Sequence, residues 1–161
     1  VSNDARAPLY VQSWVEALGF VMLGERFNLA MRAQGGLSST APTEQRFYLG
    51  GLDLVRGYDD STLRTEQFAL ANVELRGVAF DSTWFAAVPA VFIDGAIART
   101  EQFGARALLS TGVGVRLLIP KMLRTGLRAD LAVTLVGGQP QVGFSVGVFQ
   151  FFSSTDRLSI R

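Results

Sequence analysis

Arg56 lies in the run Phe47-Tyr-Leu-Gly-Gly-Leu-Asp-Leu-Val-Arg-Gly-Tyr58, flanked by Val55 and Gly57. Its guanidinium is always charged and forks to match a carboxylate, so the chemistry it offers is ion pairing. A surface stretch this long loses order unless something holds it. The run of glycines, aromatics and one Arg therefore reads as built to dock in a confined acidic place. Other constellations are weaker. Gly143-Phe-Ser-Val-Gly147 matches the spacing of a serine nucleophile elbow, but that chemistry needs a strained strand-to-helix turn and a base. Ser145 falls in mid-strand, and the chain contains no His. The glycines read better as small inward positions in a tapering barrel. Gly112-x-Gly114 lacks the third glycine of a dinucleotide site. With no Cys and no His, thiolate and imidazole metal sites are excluded, and the sequence calls for no metal, no cofactor and no enzymatic activity.

The 161 residues suit one domain. A net charge of +1, with basic and aromatic residues scattered, gives no pull toward nucleic acid. The hydrophobic fraction of 48% is high, yet no apolar run nears the ~20 residues of a membrane-spanning helix. The longest, Trp84 to Ile93, is broken by Pro89. Two choices follow: a well-covered soluble core, or a barrel whose apolar residues are spread by alternation. Residues 1–8 lack the apolar core of a signal peptide, so the expectation is a mature chain or a piece of one.

Alternation is what the sequence shows. Arg26, Asn28, Ala30, Arg32 and Gln34 oppose Phe27, Leu29, Met31 and Ala33; Glu66, Asn72, Glu74 and Arg76 oppose Ala69, Ala71, Val73 and Leu75. Arg106, Ser110 and Arg116 oppose Leu109, Val113 and Leu117; Arg128, Asp130 and Thr134 oppose Leu127, Leu131 and Leu135; Gly143, Ser145 and Gly147 oppose Val142, Phe144 and Val146. Such two-sided sorting is a strand signature. Segments 10–23 and 84–97 are more apolar and sort less cleanly. About seven strands of some ten residues result, the length a tilted membrane strand needs and about twice the soluble mean. A soluble sandwich would also show one charged and one apolar face, but its strands would be shorter. In a small barrel the charged face turns inward and the apolar face meets lipid. Phe20, Phe27, Phe80, Trp84, Phe85, Phe103, Phe149 and Phe152, near strand ends, fit interfacial girdles. Short connections (24–25, 81–83, 120–126) alternate with 37–64, 99–105 and 137–140, which assigns the longest loop to the outside.

The segment FYLGGLDLVRGY closely resembles the loop motif of the BamA/TamA-type surface-antigen superfamily, which includes outer-membrane assembly barrels and two-partner secretion transporters. Val73-Glu-Leu-Arg76, Val91-Phe-Ile-Asp-Gly95, Ser110 to Pro120, Leu127 to Ala132 and Gly143 to Phe152 then resemble its following strands in family order. The resemblance covers about residues 10–152. It implies that Arg56 folds back into the lumen and pairs with a wall carboxylate, with Asp94 the firmer partner and Glu74 the second. Gly50, Gly51, Val55, Gly57 and Tyr58 complete the motif. It also implies a weak seam at the closing strand, with Phe144, Phe149 and Phe152 on its lip. Three departures stand out: Gly95 precedes Ala96 after the wall Asp, the periplasmic repeats and first half of the family barrel do not appear, and residues 153–161 run past the terminal aromatic.

The expectation is an all-β, antiparallel transmembrane barrel of about eight strands, seven of them readable. It spans residues 1–152, with an inward-folded extracellular loop at 37–64 and a tail at 153–161. The eighth strand is expected N-terminal to the readable seven, absent or unrecognisable in this sequence, with the tail as the alternative. The resemblance implies a bacterial outer-membrane protein that assembles or translocates other proteins, or handles lipid. It would act at its strand seam or as an oligomer, because an eight-stranded lumen holds little more than side chains. Implied partners are outer-membrane lipid or lipopolysaccharide, a second copy, or other outer-membrane proteins. The alternative readings are a small closed structural anchor without transport activity, and a soluble ligand-binding barrel.

Overall fold

A computed structural model of the chain describes residues 10–39, 46–60, 62–77, 80–100, 104–119, 125–137 and 139–150. Among these every regular element is a strand. They are β1 (Gln12–Leu23), β2 (Phe27–Ser38), β3 (Phe47–Leu49), β4 (Leu63–Thr65), β5 (Gln67–Gly77), β6 (Phe80–Asp81), β7 (Ala86–Thr100), β8 (Gly104–Ile119), β9 (Thr125–Val136) and β10 (Val142–Gln150). No helix among the described residues is long and apolar enough to cross a membrane, which says nothing of crossing by strands.

The main sheet has eight strands in the order β1-β2-β5-β7-β8-β9-β10, with β6 paired to β7 off that path. All neighbours are antiparallel. The eighth strand among the described residues is the two-residue β6; residues 1–9 and 153–161, where the further strand was expected, lie outside the described residues. The sheet is not closed, since β1 and β10 do not pair with one another among the described residues. Its inner face nonetheless wraps the 50–58 loop, which touches β2, β5, β7, β9 and β10.

The long connection runs over 39–66, as long as the expected 37–64 but displaced by two residues. Strand β2 runs on to Ser38 and Leu37 pairs with Gln67, while β3 and β4 form a small hairpin inside the connection. Its turn, residues 50–62, carries the Arg56 motif inward.

Alternation sorts the two faces as the residues require. Outward, Val91, Ile93, Ile97, Val113, Leu127, Leu131 and Leu135 are exposed, an apolar band suited to lipid. Inward, the packing is layered along the strands. Toward the long-loop end, Leu49, Val55 and Leu63 pack on Leu70, Ala96, Ala98 and Leu108. Next comes a band of charge at Glu74, Asp94, Arg116 and Asp130, all buried. Toward the short turns a cavity opens. The chain's apolar core thus lies between the loop and the concave face of the sheet. Phe27, Phe80, Trp84 and Phe85 sit exposed near the short turns, where girdle residues belong, and Phe80 stacks on Phe85 at 5.3 Å between centroids. Phe20 departs from that pattern. Its register opposite Ala30 turns it to the inner face, because β1 from Ala17 to Leu23 is apolar on both sides and gives alternation nothing to sort. Phe103 and Phe152 lie outside the described residues.

Placing a charge on the outer band tests its lipid contact. Leu131→Arg, in the middle of β9, is expected to lower folding stability in bilayers by ~2–4 kcal/mol, read from denaturant-dependent folding into vesicles. A loss near zero would mean that this face is solvated.

Candidate functional site

Three short-range devices give the loop its shape. Gly51 and Gly57 take φ of 86° and 88°, a left-handed backbone that L side chains rarely adopt. The Gly51 N–H donates to the Tyr58 carbonyl at 3.0 Å and so closes the loop on itself. The hydroxyl of Thr62 donates to the Asp59 carbonyl at 2.6 Å. The closed loop then points Arg56 at the wall.

Arg56 is buried, with 4% of its surface exposed. Its Nε donates to Asp94 Oδ2 at 2.6 Å and its Nη2 to Asp94 Oδ1 at 2.7 Å, a bidentate fork. Its backbone N–H donates to the same Oδ2 at 3.1 Å, so Asp94 fixes chain and side chain together. Nη1 donates to Glu74 Oε2 at 2.6 Å. The guanidinium lies 3.4 Å from the ring centroid of buried Phe92, a cation–π contact in a dry place. Burial opposes the charge on Arg56, but the hydrogen bonds and charges of Asp94 and then Glu74 outweigh it and raise its pKa above the ordinary value.

The network extends beyond the pair. Arg116 donates to Glu74 Oε2 at 2.8 Å and to Asp130 Oδ1 at 2.6 Å, and Arg128 donates through Nε to Asp130 Oδ2 at 2.6 Å. Arg116 and Arg128 stand directly opposite each other on β8 and β9, an arrangement that like charges make unfavourable. The carboxylate of Asp130, bonded to both, relieves it. Arg76 adds a bond to Glu74 Oε1 at 2.6 Å. Every buried charge here is paired and hydrogen-bonded, the condition for keeping ions in a low-dielectric interior.

Backbone carbonyls of the loop are held as well. Arg32 donates to the carbonyl of Asp53 at 2.6 Å, Asn72 to that of Leu54 at 2.7 Å, and Arg128 to that of Leu52 at 2.9 Å. Tyr58 works differently. Between β8 and β9 the register slips at Leu109/Ser110, which breaks the ladder locally. The Tyr58 hydroxyl fills that break: it donates to the carbonyls of Leu109 (2.9 Å) and Val136, and accepts from the Leu109 N–H at 3.2 Å.

The closing strand β10 is shaped to the loop. A Cβ at Gly143 would lie 2.7 Å from Gly57 Cα, and one at Gly147 would lie 2.9 Å from Leu52 Cδ2. Gly57 itself has no room, since a Cβ there would lie 2.9 Å from the Cβ of Ala132. The G-x-S-x-G spacing therefore has a packing origin: the loop lies on the glycines, and Ser145 sits between them in strand, paired with Asp130.

Both expected carboxylates meet Arg56. Their register sets Asn72 opposite Asp94 and Glu74 opposite Phe92, an offset of two residues that lets one guanidinium reach both. Gly50, Gly51, Val55 and Tyr58 all belong to the docked loop, with Val55 fully buried. Of the seam residues, Phe144 projects outward from β10 and is exposed, and Phe149 pairs with Gly126 on β9. Phe152 lies outside the described residues. Sequence reading missed Phe92, Asn72, Arg116 and Asp130 as members of the site. Alternation put Asn72, Arg116 and Asp130 on the inner face but left Phe92 unsorted, and ranking them needed the register across the strand pairs. Among the described residues no group of His, Cys, Asp or Glu is arranged to hold a metal ion.

Compared with protein families, the chain matches the model of the Omp85 superfamily domain over residues 5–156. Neither curated proteins nor solved structures gave a significant match.

Removing the guanidinium takes the cation from buried Asp94, while Glu74 keeps Arg116 and Arg76. Arg56→Ala is expected to cost on the order of 3–5 kcal/mol and to expose 50–58 to protease, both measurable on detergent-solubilised protein. Unchanged melting together with unchanged cleavage would show that no pin exists. Gly143→Val is expected to loosen the same loop while Arg56 is intact, seen as faster cleavage within 50–58. A cleavage rate equal to the parent's would mean that the loop does not rest on β10.

Proposed function

Because the chain belongs to the Omp85 superfamily, whose members are bacterial outer-membrane proteins, we propose that it sits in the outer membrane and assists the assembly or translocation of other outer-membrane proteins. The action is placed at the β1 and β10 edges, either within one chain or between copies, and not through a wide pore. The observation that carries this is the docked loop: Arg56 on Asp94 and Glu74 holds residues 50–58 across the inner face, where an open pore would need clear space. Among the described residues β1 and β10 do not pair with each other, and an unpaired edge is a template for an incoming strand.

The proposed partners are outer-membrane lipid or lipopolysaccharide and unfolded or partly folded barrel proteins. The reading includes no enzymatic role. Ser145 lies within a strand with backbone of β9 beside it, which supports a packing role for the G-x-S-x-G segment.

The test is reconstitution of the full chain in vesicles, with the folding rate of a second, unfolded barrel protein as readout and single-channel recording alongside. An accelerated client rate without large conductance is the expected result. No acceleration would overturn the assembly reading in favour of a structural anchor, and steps of porin-like conductance would overturn the seam mechanism.

A further inference from the structure

Strand β1 breaks the pattern of the other long strands. Its register puts Glu16, ion-paired to Arg32, on the inner face, and along the same face the apolar Trp14, Leu18, Phe20 and Met22, opposite Gly36, Arg32, Ala30 and Asn28. These side chains are 62%, 62%, 63% and 61% exposed, although they face the side that carries charge on β5, β7, β8 and β9. Val15, Val21 and Leu23 on the outer face are apolar too. A strand between lipid and a polar lumen should alternate. Here something apolar is called for on the inner side as well.

The neighbouring space supplies the rest of the argument. At the short-turn end a cavity of about 570 Å³ lies below Leu52 and Asp53 of the docked loop. That volume is in the range of small-molecule sites. Arg26, Arg76, Arg116 and Arg128 line it, with Glu25 and Asp53 the carboxylates in the lining. Arg116 and Arg128 are engaged by Asp130, whereas Arg76 bonds Glu74 with 38% of its side chain still exposed. A smaller space of about 170 Å³ shares Leu52, Asp53, Arg76 and Arg128 with the first and runs along Leu18 and Phe20. Apolar track and basic pocket are thus contiguous. Met22 of β1 and Gly147 and Val148 of β10 border the cavity, so it lies between the two strands that do not pair with each other.

We propose that this cavity holds one anionic phospholipid. Its phosphate is held by Arg26 and Arg76, and one acyl chain lies along Met22, Phe20 and Leu18. A second copy of β1 would cover the apolar track but bring no anion to the arginines; inorganic phosphate would satisfy the arginines and leave the track bare. A lipid answers both with one molecule. The inference rests on the membrane reading above but not on the assembly activity.

The test is native mass spectrometry of the delipidated full chain in detergent, titrated with phosphatidylglycerol or with phosphatidylcholine of the same acyl chains. One phosphatidylglycerol is expected to be retained, with affinity about tenfold above phosphatidylcholine. Arg26→Gln/Arg76→Gln is expected to erase that preference, and Leu18→Ser/Phe20→Ser to weaken both lipids. If the double arginine variant does not fold, Arg26→Gln alone, in the β1–β2 turn, carries the comparison. Equal affinity for the two lipids, or a preference that survives the arginine variant, overturns the proposal. So does full displacement by millimolar inorganic phosphate, which would make the site a phosphate site only. Lost lipid binding with client folding still accelerated would sink this inference alone, whereas a chain that stays folded without detergent or lipid would sink the membrane reading itself.

Discussion

The contact on which the rest depends is the fork between Arg56 and Asp94. It is buried on both sides and bonded through the backbone N–H as well as the side chain. Ordering a loop costs roughly 1–2 kcal/mol of backbone entropy per residue, so the 50–58 segment needs a strong anchor. A charge pair in a dry lumen is such an anchor because breaking it leaves an ion unpaired. The apolar layer around Leu49, Val55 and Leu108 then closes over the charge band and keeps water from it. Neither layer is stable by itself: the charges need the cover, and the cover needs the loop that the charges hold.

This arrangement inverts that of a soluble domain. Burial here occurs between a loop and the concave side of one sheet, while large aliphatic side chains on the convex side remain exposed. In water such a surface would drive aggregation. In a bilayer it is the solvated face, and membership of the Omp85 superfamily fits that environment.

Much of this was legible in the residues. Period-two sorting located the long strands and their inward faces, because an apolar face opposite a charged one imposes alternation on each strand independently. The docking of Arg56 with Asp94 and Glu74 was also legible, through the resemblance of the loop motif. Less was readable where one strand's position depends on another's. The two-residue offset between Glu74 and Asp94, the membership of Asp130 and Arg116, and the Gly143 slot all follow from pairing registers. No single strand encodes these. Strand β1 escaped for the opposite reason: from Ala17 to Leu23 it is apolar on both faces and carries no alternation to read.

The slip between β8 and β9 carries a consequence for how the molecule assembles. The hydroxyl of Tyr58 supplies the missing partners for Leu109 and Val136, and it comes from 51 and 78 residues away in sequence. Two strands cannot settle this register by zipping from their shared turn, because the break stays unsatisfied until a distant loop arrives. Loop docking and strand registration therefore belong to one cooperative event of high contact order, which places it late and makes it slow. A chain caught before that event would hold an unfinished sheet, with its strands paired on either side of an open fault line.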